Sequence, residues 1–170
     1  MVHTVYYSLL TYSDWSLYLA ATDQGLCFVG SSPVSKAELT GWVTTHFPAA
    51  SLIEDNEKLA PYRQAFTAYL AGELRSLDLH THTTGTAFQK KVWNGLRAIP
   101  YGETLSYSEL ATQIGSSPKA ARAVGTALAA NPLLIVNPCH RVVPKSQKPR
   151  AFRGGLAMKE KLLVLEQDNT

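Results

Sequence analysis

The chain has 170 residues, of which 45% are hydrophobic and 17% charged, so it is long enough to bury the core of one domain or of one domain with a small extra lobe. No apolar run is long enough to span a bilayer, which excludes a membrane-spanning helix, and the first residues lack the basic and apolar regions of a signal peptide. Two cysteines, Cys27 and Cys139, are too few for a disulfide scaffold, so we expect a cytoplasmic protein in a reducing compartment.

The charge is divided unevenly along the chain. Residues 1–87 carry four Lys and Arg against eight Asp and Glu, a net charge of −4, whereas residues 88–170 carry twelve against five, a net charge of +7. A basic half of this kind favours a polyanion partner, most simply nucleic acid. A solvated basic face gives the same count, so charge alone is weak evidence.

The first half predicts a small α/β lobe with an antiparallel sheet, which we bound at residues 1–84. Asp23-Gln24-Gly25 is a turn signal between two apolar runs, and Ser35 with Glu38 three residues later indicates the start of a helix. The expected elements are strands at 2–7, 15–22 and 26–29 and helices at 35–47 and 61–74. Residues 76–86 are expected to form a strand end and a linker.

The second half, residues 85–170, predicts a mainly helical lobe, so the fold class is α+β. Gly115-Ser116-Ser117 lies between two helical segments, with Ser117 placed as an N-cap and Pro118 in the first turn. This helix, tight turn and helix match the layout of a helix-turn-helix. The expected elements are helices at 88–99, 106–114, 119–130 and 156–166 and a buried strand at 133–136.

The second helix of that motif is almost without bulk. Arg122 is its longest side chain apart from Lys119, and its small residues are Ala120, Ala121, Ala123, Gly125, Thr126, Ala127, Ala129 and Ala130. A slim helix can approach the minor groove of DNA with one arginine reaching inside. Close packing between helices uses the same small residues and explains the composition equally well.

The segment 137–144 contains a cysteine beside a histidine and an arginine. A neighbouring base or cation lowers the pKa of a thiol, so His140 could take the proton of Cys139 while Arg141 adds a favourable field. Pro138 indicates an extended chain or a turn, and in an extended chain adjacent side chains point to opposite faces. Direct contact therefore needs a tight bend or a bridging water, and a buried structural cysteine beside a surface histidine is the alternative.

The last helix supplies a carboxylate for the same chemistry. Lys159, Leu162, Leu163 and Glu166 fall on one face at helical spacing, so Glu166 is expected to be at least partly buried and to need a partner. His140 is a sensible one, which would make Cys139, His140 and Glu166 the nucleophile, base and orienting group. Alternatively, Glu166 lies at a frayed helix end and faces water.

Taken together, these segments resemble the O6-alkylguanine-DNA alkyltransferase family. The resemblance covers residues 88–166, in order and with similar spacing, and is loose before that. Its motifs are Ser106-Tyr107, Ala120-Ala121-Arg122-Ala123-Val124-Gly125, Asn131-Pro132, Pro138-Cys139-His140-Arg141-Val142 and Gly154-Gly155-Leu156-Ala157-Met158-Lys159.

The resemblance implies repair of DNA without a cofactor. The partner would be double-stranded DNA carrying O6-alkylguanine, and O4-alkylthymine is a second possible substrate. The helix-turn-helix would bind the minor groove, Arg122 would enter the base stack, and the flipped nucleotide would reach the cysteine. Each molecule would act once, as a monomer.

The resemblance also implies a role for each matching residue. Cys139 would accept the alkyl group, His140 would deprotonate it through a water, Glu166 would orient His140, and Tyr107 would donate to N3 of the departing base. The carbonyls of Cys139 and Val142 would accept from the exocyclic amine, and the backbone N–H of Arg153 would meet O6. The remaining substrate-binding or DNA-binding candidates are Ser106, Ala121, Arg122, Asn131, Phe152 and Lys159.

Two departures from the family pattern concern the pocket and a metal. The loop before Gly154 usually carries glycines and a tyrosine, whereas here it runs from Lys145 to Phe152, which leaves the accepted alkyl size open. Some relatives hold a structural zinc near His3, Cys27 and His80, but Thr22 takes a fourth ligand position, so no metal is expected.

Three other functions compete with alkyl transfer. A lesion-binding protein without transfer would keep the DNA surface, but such relatives replace the reactive cysteine. A Cys-His-Glu hydrolase would leave the basic helix-turn-helix unexplained. A transcription regulator would use that motif without needing Cys139.

Overall fold

A computed structural model of the protein describes residues 1–146 and 152–170 and divides the chain into two units, residues 1–83 and 84–170. The first unit combines a sheet with two helices, and the second is mainly helical. The predicted α+β class is therefore confirmed. Within the described ranges, no helix combines the length and the apolar character needed to cross a membrane.

The sheet of the first unit has four strands in the order β3-β2-β1-β4: β1 (Thr4–Tyr12), β2 (Trp15–Thr22), β3 (Gly25–Val29) and β4 (Ser51–Glu54). The first three pair antiparallel, as predicted, with Tyr7 opposite Ala20. The sequence analysis missed β4, which pairs parallel with β1 and makes the sheet mixed. Its four residues are too short to show a period of two, and only Leu52 among them is half-buried.

Two helices complete this unit. Helix α1 (Lys36–His46) begins at Ser35, whose hydroxyl accepts from the backbone N–H of Glu38, as predicted. The Glu38 carboxylate does not return to Ser35, as a capping box requires, but accepts from the backbone N–H of Ser31. Helix α2 (Ala60–Leu70) ends four residues before the predicted end, close to Gly72, whose φ of 79° ends a helix readily.

The described part of the second unit contains four α-helices: α3 (Ala87–Leu96), α4 (Tyr107–Gln113), α5 (Ala121–Ala129) and α6 (Leu156–Asp168). Their bounds agree with the predictions to within a few residues, with α5 preceded by a 3₁₀ turn at Pro118–Ala120. The hydroxyl of Ser117 caps this turn by accepting from the backbone N–H of Lys119. Gly115, with a φ of 83°, makes the turn between α4 and α5.

The predicted buried strand at 133–136 is wrong. These residues are buried, but they form a tight turn in which Val136 N–H donates to Leu134 O and Asn137 N–H donates to Leu133 O. Ile135 has a φ of 74°, a left-handed conformation that is rare for a β-branched residue. The apolar run predicted the burial of these residues correctly. It could not predict the turn, which is held by the side-chain amides of Asn131 and Asn137.

Candidate active site

Cys139, His140 and Arg141 form one turn of 3₁₀ helix, in which all three side chains are buried. Of the extended chain and the turn that Pro138 indicated, the structure has the turn. Successive residues of a 3₁₀ helix point about 120° apart, so neighbouring side chains diverge. Cys139 accordingly faces a pocket, whereas His140 and Arg141 both reach the carboxylate of α6.

The pocket has a volume of about 540 Å³, which is in the range of small-molecule sites. One wall is the slim face of α5, where Ala121, Gly125 and Leu128 recur at helical spacing. Among the residues that the structure describes, the lining consists of Tyr107, Ala121, Arg122, Gly125, Leu128, Ala129, Cys139, Phe152, Arg153 and Lys159. The cysteine, the aromatic side chains and the exposed Arg122 of the helix-turn-helix therefore open onto one cavity.

Asn131, fully buried, holds the cysteine in place. Its Nδ2 donates to the Cys139 sulfur at 3.2 Å and to Asn137 O at 2.9 Å. Its Oδ1 accepts from Leu133 N–H at 3.0 Å and from Asn137 Nδ2 at 3.2 Å. The same amide therefore closes the turn after α5 and supplies a hydrogen bond to the sulfur.

Behind the cysteine, Glu166 is 1% exposed and is surrounded by donors. Its Oε2 lies 2.7 Å from His140 Nε2 and 2.8 Å from Arg141 Nη2, and its Oε1 lies 2.8 Å from Arg141 Nε. The backbone N–H of Gly102 adds a donor at 3.3 Å, and Arg141 Nη1 donates to Ile99 O at 2.7 Å. The bidentate pair with Arg141 favours an ionised Glu166.

The histidine of this network is neutral at rest. Burial lowers the pKa of His140 below its ordinary value of 6.5, against the opposing influence of Glu166. An anionic Glu166 accepts a hydrogen bond, so Nε2 carries the proton and Nδ1 is left as the basic nitrogen. Nδ1 is buried and has no hydrogen-bond partner within the described residues.

The cysteine is a protonated thiol in this state, contrary to the expectation of a thiol activated by Arg141. Burial raises the pKa of Cys139, and the opposing influences are the Asn131 hydrogen bond and the charges of Arg153 and Lys159. Arg141 acts on Glu166 instead. The Cys139 sulfur therefore lies near the cations Arg153 and Lys159, but His140 and Arg141 do not ionise it in this state.

Lys159 and Arg153 are both tied to backbone carbonyls at the pocket. Lys159 is 1% exposed, donates to Val142 O at 2.7 Å, and has a pKa lowered by burial. The side chain of Arg153 donates to Asn131 O at 2.7 Å and to Pro132 O at 3.3 Å. Val142 thus contributes its carbonyl oxygen to the site, and this oxygen has a second lone pair that can accept another hydrogen bond.

The other candidate residues from the sequence take different places. Tyr107, Ala121, Arg122 and Phe152 line the pocket. Ser106 is buried and serves as the N-cap of α4, where its hydroxyl accepts from Glu109 N–H and its own N–H donates to the Glu109 carboxylate. The structure thus brings Cys139, its hydrogen-bond partner Asn131 and the pocket walls together, and Ser106 lies at the start of α4.

Comparisons with known proteins show which family the chain belongs to. Residues 5–83 match the family model described as the ribonuclease-like domain of 6-O-methylguanine DNA methyltransferase, and residues 87–168 match the model described as its DNA binding domain. The chain is 47% identical over 164 residues to an inducible methylated-DNA–protein-cysteine methyltransferase of Bacillus subtilis, covering 96% of this chain and 91% of that one. The chain belongs to the 6-O-methylguanine DNA methyltransferase family.

Further relatives in this family extend the likeness to the fold. A methylated-DNA–protein-cysteine methyltransferase of Methanosarcina acetivorans is 40% identical over 162 residues, covering 95% of this chain and 98% of that one. The crystal structure of Mycobacterium tuberculosis O6-methylguanine methyltransferase superposes with a TM-score of 0.83 at 35% identity, covering 98% of this chain and 95% of that one. A structure of the same mycobacterial protein in complex with DNA gives a TM-score of 0.82 at 36% identity, covering 96% of this chain and 94% of that one.

Sequence reasoning missed three contributions to the site. Arg141 was read as a field on the thiol, although it pairs with Glu166. The backbone N–H of Gly102, in a turn with a φ of 81°, and the side chain of Arg153 were also not foreseen. A buried arginine beside a histidine was the available signal for the first, but nothing in the sequence indicated the other two.

The metal candidates of the first unit fall in different surroundings. Among residues 1–146 and 152–170, no group of three or more His, Cys, Asp or Glu side chains is close enough to hold a metal ion. Cys27 is buried in the apolar core, and Thr22 Oγ1 lies 2.7 Å from Nδ1 of the half-buried His82.

Proposed function

We propose that Cys139 is the residue through which this chain, a DNA-repair methyltransferase of the methylated-DNA–protein-cysteine type, removes alkyl groups from O6-alkylguanine. The observation that carries the proposal is the position of the sulfur. It opens onto the same cavity as Arg122 of the helix-turn-helix and is held there by Asn131. Cys27, the other cysteine, is enclosed by apolar side chains.

The transfer is a displacement at the alkyl carbon. The Cys139 thiolate attacks that carbon, an S–C bond forms, and the C–O6 bond breaks with its electron pair going to the guanine. The proton lost by the thiol is balanced by a proton gained by the departing base. Because the thioether is stable, each molecule transfers one group and is then spent.

The proton is expected to move through His140. Its Nδ1 is the basic nitrogen, because Nε2–H is directed to Glu166. Since the histidine and cysteine side chains diverge, one bridging water would connect Nδ1 to the sulfur. Protonated His140 would then be stabilised by Glu166, and Tyr107, which lines the pocket, would donate to N3 of the departing base.

The base would reach the sulfur by leaving the duplex. Apart from Arg122 and Leu128, the α5 residues that line the pocket are small, so the helix can lie close to DNA, and Arg122 is exposed at its first turn. We assign Arg122 to the space left by the flipped nucleotide, with Ala121 beside it and Ser106 fixing the start of α4. The carbonyls of Cys139 and Val142 and the N–H of Arg153 would read the base, between Phe152 and Tyr107.

We further propose double-stranded DNA carrying O6-alkylguanine as the specific partner, a monomeric active form and a cytoplasmic location. The +7 charge of residues 88–170 supports the DNA partner. DNA binding that depends on phosphate contacts should weaken steeply as salt is raised, since counterions are released on binding.

Intact-mass measurement tests the proposed reaction. The protein is mixed with a duplex containing one O6-methylguanine and with a matched unmodified duplex. We expect the mass of one methyl group to appear with the modified duplex alone and to be missing for Cys139→Ala. Tight binding to the modified duplex without a mass gain would show a lesion-binding protein instead.

A further inference from the structure

The side chain of Arg153 crosses one side of the pocket. Its backbone belongs to the segment that leads into α6, whereas its guanidinium reaches the far end of α5, donating to Asn131 O at 2.7 Å and to Pro132 O at 3.3 Å. Both Arg153 and the adjacent Phe152 line the cavity. The two walls of the pocket are therefore joined by one side chain.

We propose that Arg153 is a latch that fixes the width of the pocket and so limits the size of the alkyl group that reaches Cys139. The proposal rests on the proposed alkyl transfer. It assigns to the side chain of Arg153 a role separate from that of its backbone N–H, which is expected to meet O6.

The Arg153 side chain is anchored to Asn131, a residue that cannot move independently of Cys139. Asn131, whose carbonyl receives Arg153 Nε, also donates from its Nδ2 to the Cys139 sulfur. Carbonyls just beyond the end of a helix carry partial negative charge, so a guanidinium is favourably placed there. Charge-assisted hydrogen bonds of this kind are stronger than neutral ones, which makes outward movement of the segment unfavourable.

Inward or sideways movement of the Phe152 ring is limited by packing. A Cβ added to Gly154 would lie 2.6 Å from Phe152 Cε2, 2.6 Å from Met158 Sδ and 3.0 Å from Leu134 Cδ1. The ring therefore already lies against the backbone of Gly154, with no room for an additional methyl group there. A larger alkyl group must push this wall outward, against the latch.

The test compares two alkyl sizes in the same duplex. Second-order rates of transfer are measured for O6-methylguanine and O6-benzylguanine with the wild type, Arg153→Met and Arg153→Lys. Lys90→Met, which removes an exposed positive charge elsewhere in the same unit, is the matched control. Any effect of the Arg153 charge on the sulfur changes both rates alike and cancels in their ratio.

We expect the benzyl-to-methyl rate ratio to rise by about fivefold or more in Arg153→Met, less in Arg153→Lys, and not at all in Lys90→Met, because pocket contacts discriminate by roughly this much. An unchanged or lower benzyl-to-methyl ratio in both Arg153 variants contradicts the role proposed for Arg153. If the wild type still transfers the methyl group, the proposed function is unaffected by that result. If Arg153→Met does not fold, Arg153→Lys decides. A wild type that transfers neither group overturns both.

Discussion

The two cysteines differ in what surrounds them, although both are buried thiols with a raised pKa. Cys27, 1% exposed, lies on β3 among Val5, Ala20, Phe28, Leu39 and Val43, and burial raises its pKa to about 12. Cys139, 4% exposed, has an amide donor, two nearby cations and a cavity. Burial therefore does not distinguish the two thiols, whereas their polar partners and access to a cavity do.

The same contrast applies to the charged groups around each sulfur. Cys27 is packed in an apolar cluster, so nothing there has to be paired. Four charged side chains lie near Cys139: Glu166, Arg141, Arg153 and Lys159. A charged group that is removed from water needs a polar partner, and each of these four has at least one hydrogen-bond partner. The site thus depends on charge pairing in a way the first core does not.

Glu166→Gln should have the largest effect on stability, because it leaves the buried Arg141 without its anionic partner. We expect a loss of about 3 kcal/mol in the free energy of unfolding, as is usual when one member of a buried ion pair is removed. Urea unfolding of the whole chain measures the loss. An unchanged midpoint would show that the pair is not the constraint the geometry suggests.

A double variant separates stability from chemistry. Arg141→Met with Glu166→Leu replaces the pair by apolar side chains, which is often close to neutral for stability. We expect most of the lost stability to return while alkyl transfer stays slow, since His140 has lost its orienting carboxylate. Recovery of both properties would remove Glu166 from the mechanism.

Arg122→Ala tests whether access to Cys139 depends on extrusion of the base. Transfer from O6-methylguanine in duplex DNA should fall by about tenfold or more, because a flipped base costs a few kcal/mol to hold out. Transfer from free O6-benzylguanine should change little, since no duplex has to open. Equal losses on the two substrates would contradict the role given to Arg122.

The sequence predicted the helical lobe well because caps and breakers mark its elements. Ser117 caps as expected, and the helices predicted at 88–99 and 106–114 correspond to α3 and α4. The turn at 133–137 was not predictable, because its fold depends on Asn131 and Asn137 bonding each other. β4 was missed because its pairing with β1 is parallel and non-local.

Within the site, the sequence predicted the candidate reacting groups but not their arrangement. Cys139, His140 and Glu166 follow from residue chemistry, and the structure brings the last two within 2.7 Å. The direction in which His140 points depends on the 3₁₀ turn, which Pro138 did not reveal. The role of Arg141 depends on its ion pair with Glu166, which lies 25 residues later on α6, and no local sequence pattern indicates that pairing.

The pH dependence of stability should show an acid limb that comes from His140 and an alkaline limb that comes from the two buried cysteines. Buried His140 stays neutral while the unfolded chain gains a proton near 6.5, so its contribution is present above that pH and is lost as the pH falls. Cys27 keeps its proton while the unfolded thiol ionises near 9.0, so its contribution is lost as the pH rises towards about 12.

Thermal unfolding between pH 5 and 8 for the wild type and His140→Gln measures the acid limb. The wild type should lose stability more steeply below pH 6.5 than the variant, which has no imidazole to protonate. Parallel curves would mean that His140 has the same pKa in the folded and unfolded chain, and a wild type that loses less stability than the variant would mean that His140 is charged in the folded state.

Cys27→Ala should have the smallest effect. Removal of one buried sulfur from the apolar core should cost about 1 kcal/mol of unfolding free energy, as a small cavity does. The rate of alkyl transfer should stay within experimental error of the wild type. A loss of transfer in this variant would contradict the assignment of Cys27 to packing alone.

The most direct test is to locate the transferred group. The wild type is reacted to completion with a duplex carrying O6-methylguanine, digested, and its cysteine-containing peptides are sequenced by tandem mass spectrometry. We predict a methyl group on the peptide containing Cys139 and an unmodified peptide containing Cys27. A methyl group on Cys27, or on neither cysteine while the lesion disappears from the DNA, would contradict the account.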